Sequence, residues 1–182
     1  MSVIQNKNII LGVCGGIAAY KVCGLIRTLV KLGANVECVL TENAKKFVTP
    51  LTLQTLSKNR VYADMFESID RWEIEHISLA KKADIIVVVP ATAEIISSLA
   101  CGRADNLVSS LILASKSKIL ICPAMNSNMF SHKSVQNNIE ILKSYSYQIC
   151  GPQKGELACS ETGCGRLADI ETITDKIESL LN

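Results

Sequence analysis

Apolar residues in this chain follow two rhythms. Short apolar-rich runs at Ile9–Val13, Asn35–Leu40, Ile85–Pro90, Lys118–Cys122 and Tyr147–Cys150, the first and third of them unbroken, are each bounded by Gly, Pro or polar residues. Continuous runs of this length predict strands buried on both faces. Between them the spacing widens towards 3.6. Ile17, Tyr20, Gly24, Ile26 and Leu29 approximate one face of a helix that Gly33 stops. Another helix is expected from Glu42, with Phe47 in its first turns, resuming at Leu51–Leu56 after an interruption at Thr49-Pro50. Further helices are expected at Ile77–Lys82, at about 93–101 and 105–115 (broken at Gly102), at 134–145, and at 171–181, where Asp169 and Glu171 mark the start. Val61-Tyr62 reads as a short edge strand, and 67–75 as polar and irregular. Strands alternating with helices predict one three-layer α/β domain over residues 1–182, with about six parallel strands and right-handed crossovers.

One stretch fits neither rhythm. Residues 151–168, with Gly151-Pro152, Gly155 and A-C-S-E-T-G-C-G-R (158–166), are too Gly-rich for a helix and too polar for a core strand. They read either as a surface connection or as a flap that closes over a site.

Composition narrows the setting. The chain is 48% hydrophobic but only 4% aromatic, so Val, Ile, Leu and Ala must fill the core, as in a parallel sheet covered on both sides. A net charge of +2, with no basic run and no aromatic–basic interleaving, argues against a nucleic-acid surface. Of eight cysteines, Cys14, Cys38, Cys122 and Cys150 lie in apolar runs, where a reduced thiol acts as a small hydrophobe. No C-x2-C pair exists, and His76 and His132 stand apart from any cysteine pair, so neither zinc nor another metal is expected. With no apolar run of about 18 residues and a start that enters a strand directly, the expectation is a cytoplasmic, reduced protein off the membrane.

Open α/β sheets bind ligands outside the carboxyl ends of their strands. Those ends carry Gly15-Gly16, Thr41, Pro90-Ala91-Thr92-Ala93-Glu94, Pro123-Ala124-Met125-Asn126 and the 151–168 loop. Gly15-Gly16 suits close approach of a phosphate to backbone N–H groups, or simply a tight turn. It is not the G-x-G-x-x-G of dinucleotide sites, although Glu42 keeps a ribose-binding reading open. His76 offers a general base with a pKa near neutrality, or an ordinary surface histidine. Asn126 can grip a carboxylate or cap a helix. Cys159 suits a proton donor or nucleophile, and Arg166 a phosphate or carboxylate anchor.

Taken together, G-G-I-A-A-Y-K (15–21), H-I-S-L (76–79), P-A-T-A (90–93), A-D-N-L (104–107), P-A-M-N-x-x-M (123–129) and A-C-x-x-x-G-x-G-R (158–166) occur in one order along nearly the whole chain. This combination resembles the flavin-containing cysteine decarboxylases. The resemblance implies a Rossmann-like, flavodoxin-like fold with strand order 3-2-1-4-5-6, FMN as cofactor, and a homotrimer or a dodecamer of trimers with FMN and the histidine near a subunit interface. It implies that Gly15, Gly16 and Thr41 hold the FMN phosphate, and that Ile17 and Ala18 also bind the cofactor. Phe47, Thr92, Ala93 and Ala124 would line the flavin ring, with Glu94 also counted among the cofactor-binding residues. His76 would be the base, Asn126 with Met125 and Arg166 would bind substrate, and Cys159 would be the acid. The implied reaction is decarboxylation of 4′-phosphopantothenoylcysteine to 4′-phosphopantetheine in coenzyme A biosynthesis. Oxidation to a thioaldehyde creates the electron sink, carbon dioxide leaves, and the ene-thiol is then reduced. A separate phosphopantothenate–cysteine ligase would supply the substrate.

Peptidyl-cysteine decarboxylases of lantibiotic type share P-x-M-N but typically lack the loop cysteine, and a non-catalytic flavin-binding subunit is the other alternative. Three positions depart from the family pattern. Glu94 stands where Asn is usual, Phe130 replaces a Trp, and Cys164 adds a second thiol to the loop.

Overall fold

Strand β4 (Ile85–Ala91) is the backbone of the domain, with all seven residues buried. The computed structural model describes residues 2–63, 75–156 and 162–182. Around β4 lie β1 (Asn8–Val13), β2 (Asn35–Leu40), β3 (Val61–Tyr62), β5 (Lys118–Pro123) and β6 (Gln148–Ile149). They form one parallel sheet in the order β3-β2-β1-β4-β5-β6. The expected three-layer, Rossmann-like architecture and strand order are both present.

Alternate residues of each strand feed opposite cores. Ile9, Leu11 and Val13, with Ile85 and Val87, pack under helices α1 (Val22–Lys31), α2 (Pro50–Ser57) and α8 (Ile170–Leu181). Ile10, Ile86, Val88 and Ile121 pack under α3 (Glu75–Lys82), α4 (Ala93–Ala100), α5 (Leu107–Ala114) and α7 (Lys133–Ser144). Fully burying each such Val or Ile contributes about 1.5–3 kcal/mol. The β4–β5 register slips between Val88 and Ala91. Val89 keeps the alternation in the first core with Ile85 and Val87, but past the slip Ala91 falls in the second, so the strand changes parity at the rim.

The observed elements differ from the sequence reading in five places. The expected helix from Ile17 begins as a 3-10 stretch, Ile17–Lys21, before α1. Three residues per turn instead of 3.6 rotates Ile17 and Tyr20 off the buried stripe, and both are 60% exposed. The helix expected from Glu42 is only a 3-10 turn, Ala44–Lys46. Thr49-Pro50 begins a helix instead of interrupting one. Thr49 Oγ1 accepts the Thr52 N–H at 3.2 Å, and proline at the first helical position needs no N–H partner. A short helix, α6 (Ser127–Ser131), follows Asn126. Finally, the described parts of 151–168 contain regular structure. Strands β7 (Gln153–Glu156) and β8 (Thr162–Arg166) pair antiparallel as a two-stranded ribbon. Its residues are mostly partly or fully exposed, so it carries no apolar run to read.

Candidate active site

Backbone hydrogen bonds stitch the carboxyl rim of the sheet together. The Thr41 N–H donates to the Val13 carbonyl, the Ala124 N–H to the Ala91 carbonyl and the Met125 N–H to the Gly165 carbonyl, each at 3.0 Å. The last of these seats the ribbon on the β5 end. Two glycines make the contacts possible. A Cβ on Gly15 would lie 2.4 Å from Asn43 Cβ, so the turns after β1 and β2 touch. A Cβ on Gly165 would lie 2.1 Å from the Met125 carbonyl oxygen.

Between rim and ribbon lies a cavity of about 760 Å³. Gly15, Gly16, Ile17 and Ala18 line it from the turn after β1, Thr92 and Ala93 from the segment after β4, Ala124, Met125 and Asn126 from the segment after β5, and Arg166 from β8. Ten of the residues singled out from sequence therefore meet in one place. Thr92 and Asn126 are also helix caps. Thr92 Oγ1 accepts the Ile95 N–H at 3.3 Å, and Asn126 Oδ1 accepts the Asn128 N–H at 2.8 Å. Capping fixes the Thr92 hydroxyl oxygen and the Asn126 carbonyl oxygen at the rim.

Four of the others lie outside this lining. Thr41 and Phe47 share the rim, but their side chains are not in the cavity wall, and Phe47 is 47% exposed. Glu94 is exposed and runs along α4, where the Ser98 hydroxyl donates to its Oε1 at 3.0 Å. His76 begins α3, on the rim side of that crossover, and also stands outside the cavity of its own chain. An ion pair between Lys82 and the nearly buried Glu37 of β2 anchors the far end of α3 to the sheet. Cys159 lies outside the described residues, as does Trp72.

The cavity also holds residues that the sequence reading passed over. Tyr20 and Lys21 close the G-G-I-A-A-Y-K motif, Met129 the P-A-M-N-x-x-M motif, and both motifs signalled them. Glu156 enters from β7, whose pairing with β8 had no sequence signal. Loss of hydration lowers the pKa of Lys21, and the Arg166 charge lowers it further against an opposing pull from Asp169. Beneath the floor, burial pushes the Cys14 thiol up to about 12 despite a hydrogen bond at the Thr92 backbone. Cys14 is thus an inert, protonated filler, as is Cys38, which burial also raises to about 12.

An open α/β sheet with a single-rim cavity, small-residue turns and a covering ribbon defines a ligand-binding protein of the doubly wound class. The chain belongs to the Flavoprotein family, whose model matches residues 2–182. It is 45% identical over 179 residues to a probable phosphopantothenoylcysteine decarboxylase of Streptococcus mutans, covering 97% of this chain and 100% of that one. It is 44% identical over 178 residues to the coenzyme A biosynthesis bifunctional protein CoaBC of Borreliella burgdorferi, covering 98% of this chain but 45% of that protein. The chain thus spans about half the length of its bifunctional relatives. Among solved structures, the FMN-dependent cysteine decarboxylase SpaF superposes with a TM-score of 0.86 at 25% identity, covering 99% of this chain and 97% of that one. A PPC decarboxylase variant complexed with pantothenoylaminoethenethiol shares the fold, with a TM-score of 0.87 at 24% identity over 96% of this chain and 98% of that one.

The cavity's own features suit a flavin. Its volume falls within the range of roughly 300–1,000 Å³ typical of cofactor pockets. Gly16 leaves the floor open, since only Thr92 Cγ2, at 3.9 Å, would approach a Cβ there. Ala18, Ala93 and Ala124 offer small apolar surfaces against which a flat ring can lie.

Proposed function

We propose that this chain is an FMN-dependent decarboxylase that converts 4′-phosphopantothenoylcysteine to 4′-phosphopantetheine in coenzyme A biosynthesis. The observation that carries this reading is the meeting of Gly15-Gly16, Thr92-Ala93 and Met125-Asn126 in one cavity under the β7–β8 ribbon. Gly15 and Gly16 hold the FMN phosphate, helped by Thr41 from the neighbouring strand end. Thr92, Ala93 and Ala124 back the ring, with Phe47 at its margin. The chemistry FMN supplies when bound is a two-electron oxidation of the cysteine side chain and its later reversal.

The protein's own groups do the rest. The Asn126 amide donates to the substrate carboxylate and orients it, with Met125 beside it. His76 removes a proton during thiol oxidation. Cys159 returns a proton when the ene-thiol is reduced, and the ribbon excludes water meanwhile. Because His76 stands outside its own chain's cavity, this scheme needs a neighbouring subunit. A homotrimer, or trimers assembled further, would bring His76 of one chain to the cavity of the next. A separate ligase would supply the substrate, and the reaction would take place in the cytoplasm.

The 45% identity to the Streptococcus mutans relative favours this substrate over a peptide ending in cysteine. The test is spectral and chemical together. Purified protein should absorb near ~370 and ~450 nm, as oxidised flavins do, and should release carbon dioxide from 4′-phosphopantothenoylcysteine. Protein lacking flavin absorbance would remove the proposal.

A further inference from the structure

The wall between the main cavity and its neighbour is cationic. A second cavity of about 450 Å³ adjoins the first, and Tyr20, Lys21 and Arg166 line both. Among the described residues lining the main cavity, Lys21 and Arg166 are the cations and Glu156 the one acid. The two cations differ in how they are held. Arg166 is fixed, its Nη2 donating to Asp169 Oδ1 at 3.0 Å. Its guanidinium lies across Gly155 of the paired strand, where a Cβ would meet Arg166 Cδ at 3.0 Å and Nη1 at 3.3 Å. Lys21 has no such partner. Among the described residues, no carboxylate oxygen lies within 4.0 Å of its Nζ. Two positive charges near one another repel, and the single Asp169, in direct contact with Arg166 and only at longer range with Lys21, offsets them in part. Such a pair is an incomplete site for a doubly charged anion, which would relieve the repulsion and take charge-assisted hydrogen bonds from both.

The proposed substrate has two anionic ends. Asn126, a neutral amide, is suited to the carboxylate that must leave, because a strong cation there would stabilise the ground state and oppose loss of carbon dioxide. The other end is a phosphate monoester, which calls for cations. We infer that Lys21 and Arg166 form the subsite for the phosphate end of the substrate, setting its direction in the cavity and selecting phosphorylated over unphosphorylated forms. This inference rests on the proposed function. Phosphate chemistry is also present on FMN, so the test must separate the two sources.

The experiment measures binding of 4′-phosphopantothenate and of pantothenate to the flavin-loaded protein by calorimetry, for the parent, Lys21→Gln and Lys21→Arg. The parent should favour the phosphorylated ligand by at least ~10-fold, as expected of hydrogen bonds to a charged group. That preference should shrink as salt rises. Lys21→Gln should lose most of it through weaker phosphate-ligand binding, with pantothenate affinity unchanged, and Lys21→Arg should keep most of it. The inference is overturned if Lys21→Gln weakens both ligands equally, if it leaves their ratio intact, or if the parent shows no preference. It is also overturned if the substitution weakens FMN but not riboflavin, for then Lys21 serves the flavin phosphate. Carbon dioxide release is scored separately. A Lys21-dependent preference without decarboxylation would leave the subsite standing and sink the decarboxylase reading.

Discussion

The floor and the roof of the cavity are built by opposite means. The floor is the end of a parallel sheet whose strands are buried on both faces, backed by two apolar cores. The roof is a polar ribbon, largely exposed, held by the Met125–Gly165 backbone bond and the Arg166–Asp169 pair. Floor residues are determined by packing, so changes there alter stability and flavin retention. Roof residues have little packing to lose, so changes there should alter catalysis and leave the fold intact. Local stability differs in just this way between core elements and surface segments that handle substrates.

The sharpest break in that comparison concerns His76, which belongs to neither region of its own chain. His76→Asn should lower carbon dioxide release by ~10²–10⁴-fold, as loss of a general base does, with flavin content unchanged. Mixing His76→Asn with Asn126→Asp chains before assembly should restore part of the activity, because a hybrid assembly contains cavities with both residues intact. Absence of any rescue in mixed assemblies would place the base in the same chain as the cavity it serves.

The next largest effect should come from the roof. Gly165→Ala puts a Cβ where only 2.1 Å separates it from a backbone oxygen, so the ribbon must lift from the β5 end. We expect at least a ~10-fold fall in kcat/KM, equivalent to ~1.4 kcal/mol, with a denaturation midpoint close to the parent's. Gly15→Ala makes the same kind of clash in the floor, against Asn43. There the expected cost is ~1–3 kcal/mol of stability, as for overpacking, together with flavin loss. If the two variants behaved alike, the distinction between floor and roof would collapse.

The smallest effect is a pH dependence within the core. Cys38 is raised by burial from 9.0 to about 12, so the folded state keeps a proton that the unfolded chain releases. Its stabilising contribution is full below pH 9 and is lost as pH rises towards 12. Cys38→Val removes that titration while retaining an apolar side chain. Between pH 8 and pH 10 the variant should lose ~1 kcal/mol less stability than the parent, as read from urea midpoints. An identical loss in both would mean that the Cys38 thiol has the same pKa folded and unfolded.

The fold was readable because each core element satisfies a local rhythm. The β4 run Ile85–Val89 reads as a doubly covered strand without help from its neighbours, and so does β5. Most of the cavity was readable for a related reason, since strand ends in such sheets converge on one rim and Gly15-Gly16, Thr92 and Asn126 sit at those ends. What failed depended on contacts between distant residues. Ile17 and Tyr20 matched a helical stripe, yet a 3-10 stretch turned them outward. The β7–β8 ribbon is specified by pairings such as Gly155 with Gly163, which leave no apolar alternation to detect. Lys21 was visible inside a motif, but its nearness to Arg166 arises only when the ribbon folds back on the rim. Glu94 looked like a cofactor neighbour from its place after Thr92-Ala93, but its hydrogen bond with Ser98 runs along the helix away from the cavity lining.

The most direct test of the proposed function is the fate of the substrate carboxyl. Flavin-loaded protein should be incubated with 4′-phosphopantothenoylcysteine under nitrogen, with carbon dioxide and the thiol product quantified together. The expected result is one equivalent of carbon dioxide per 4′-phosphopantetheine over many turnovers, with the flavin oxidised at the end. In Cys159→Ser, carbon dioxide should still appear, but with the ene-thiol or its oxidised form in place of the saturated thiol. A flavin-loaded parent protein that leaves the carboxyl group intact would contradict the proposed reaction outright.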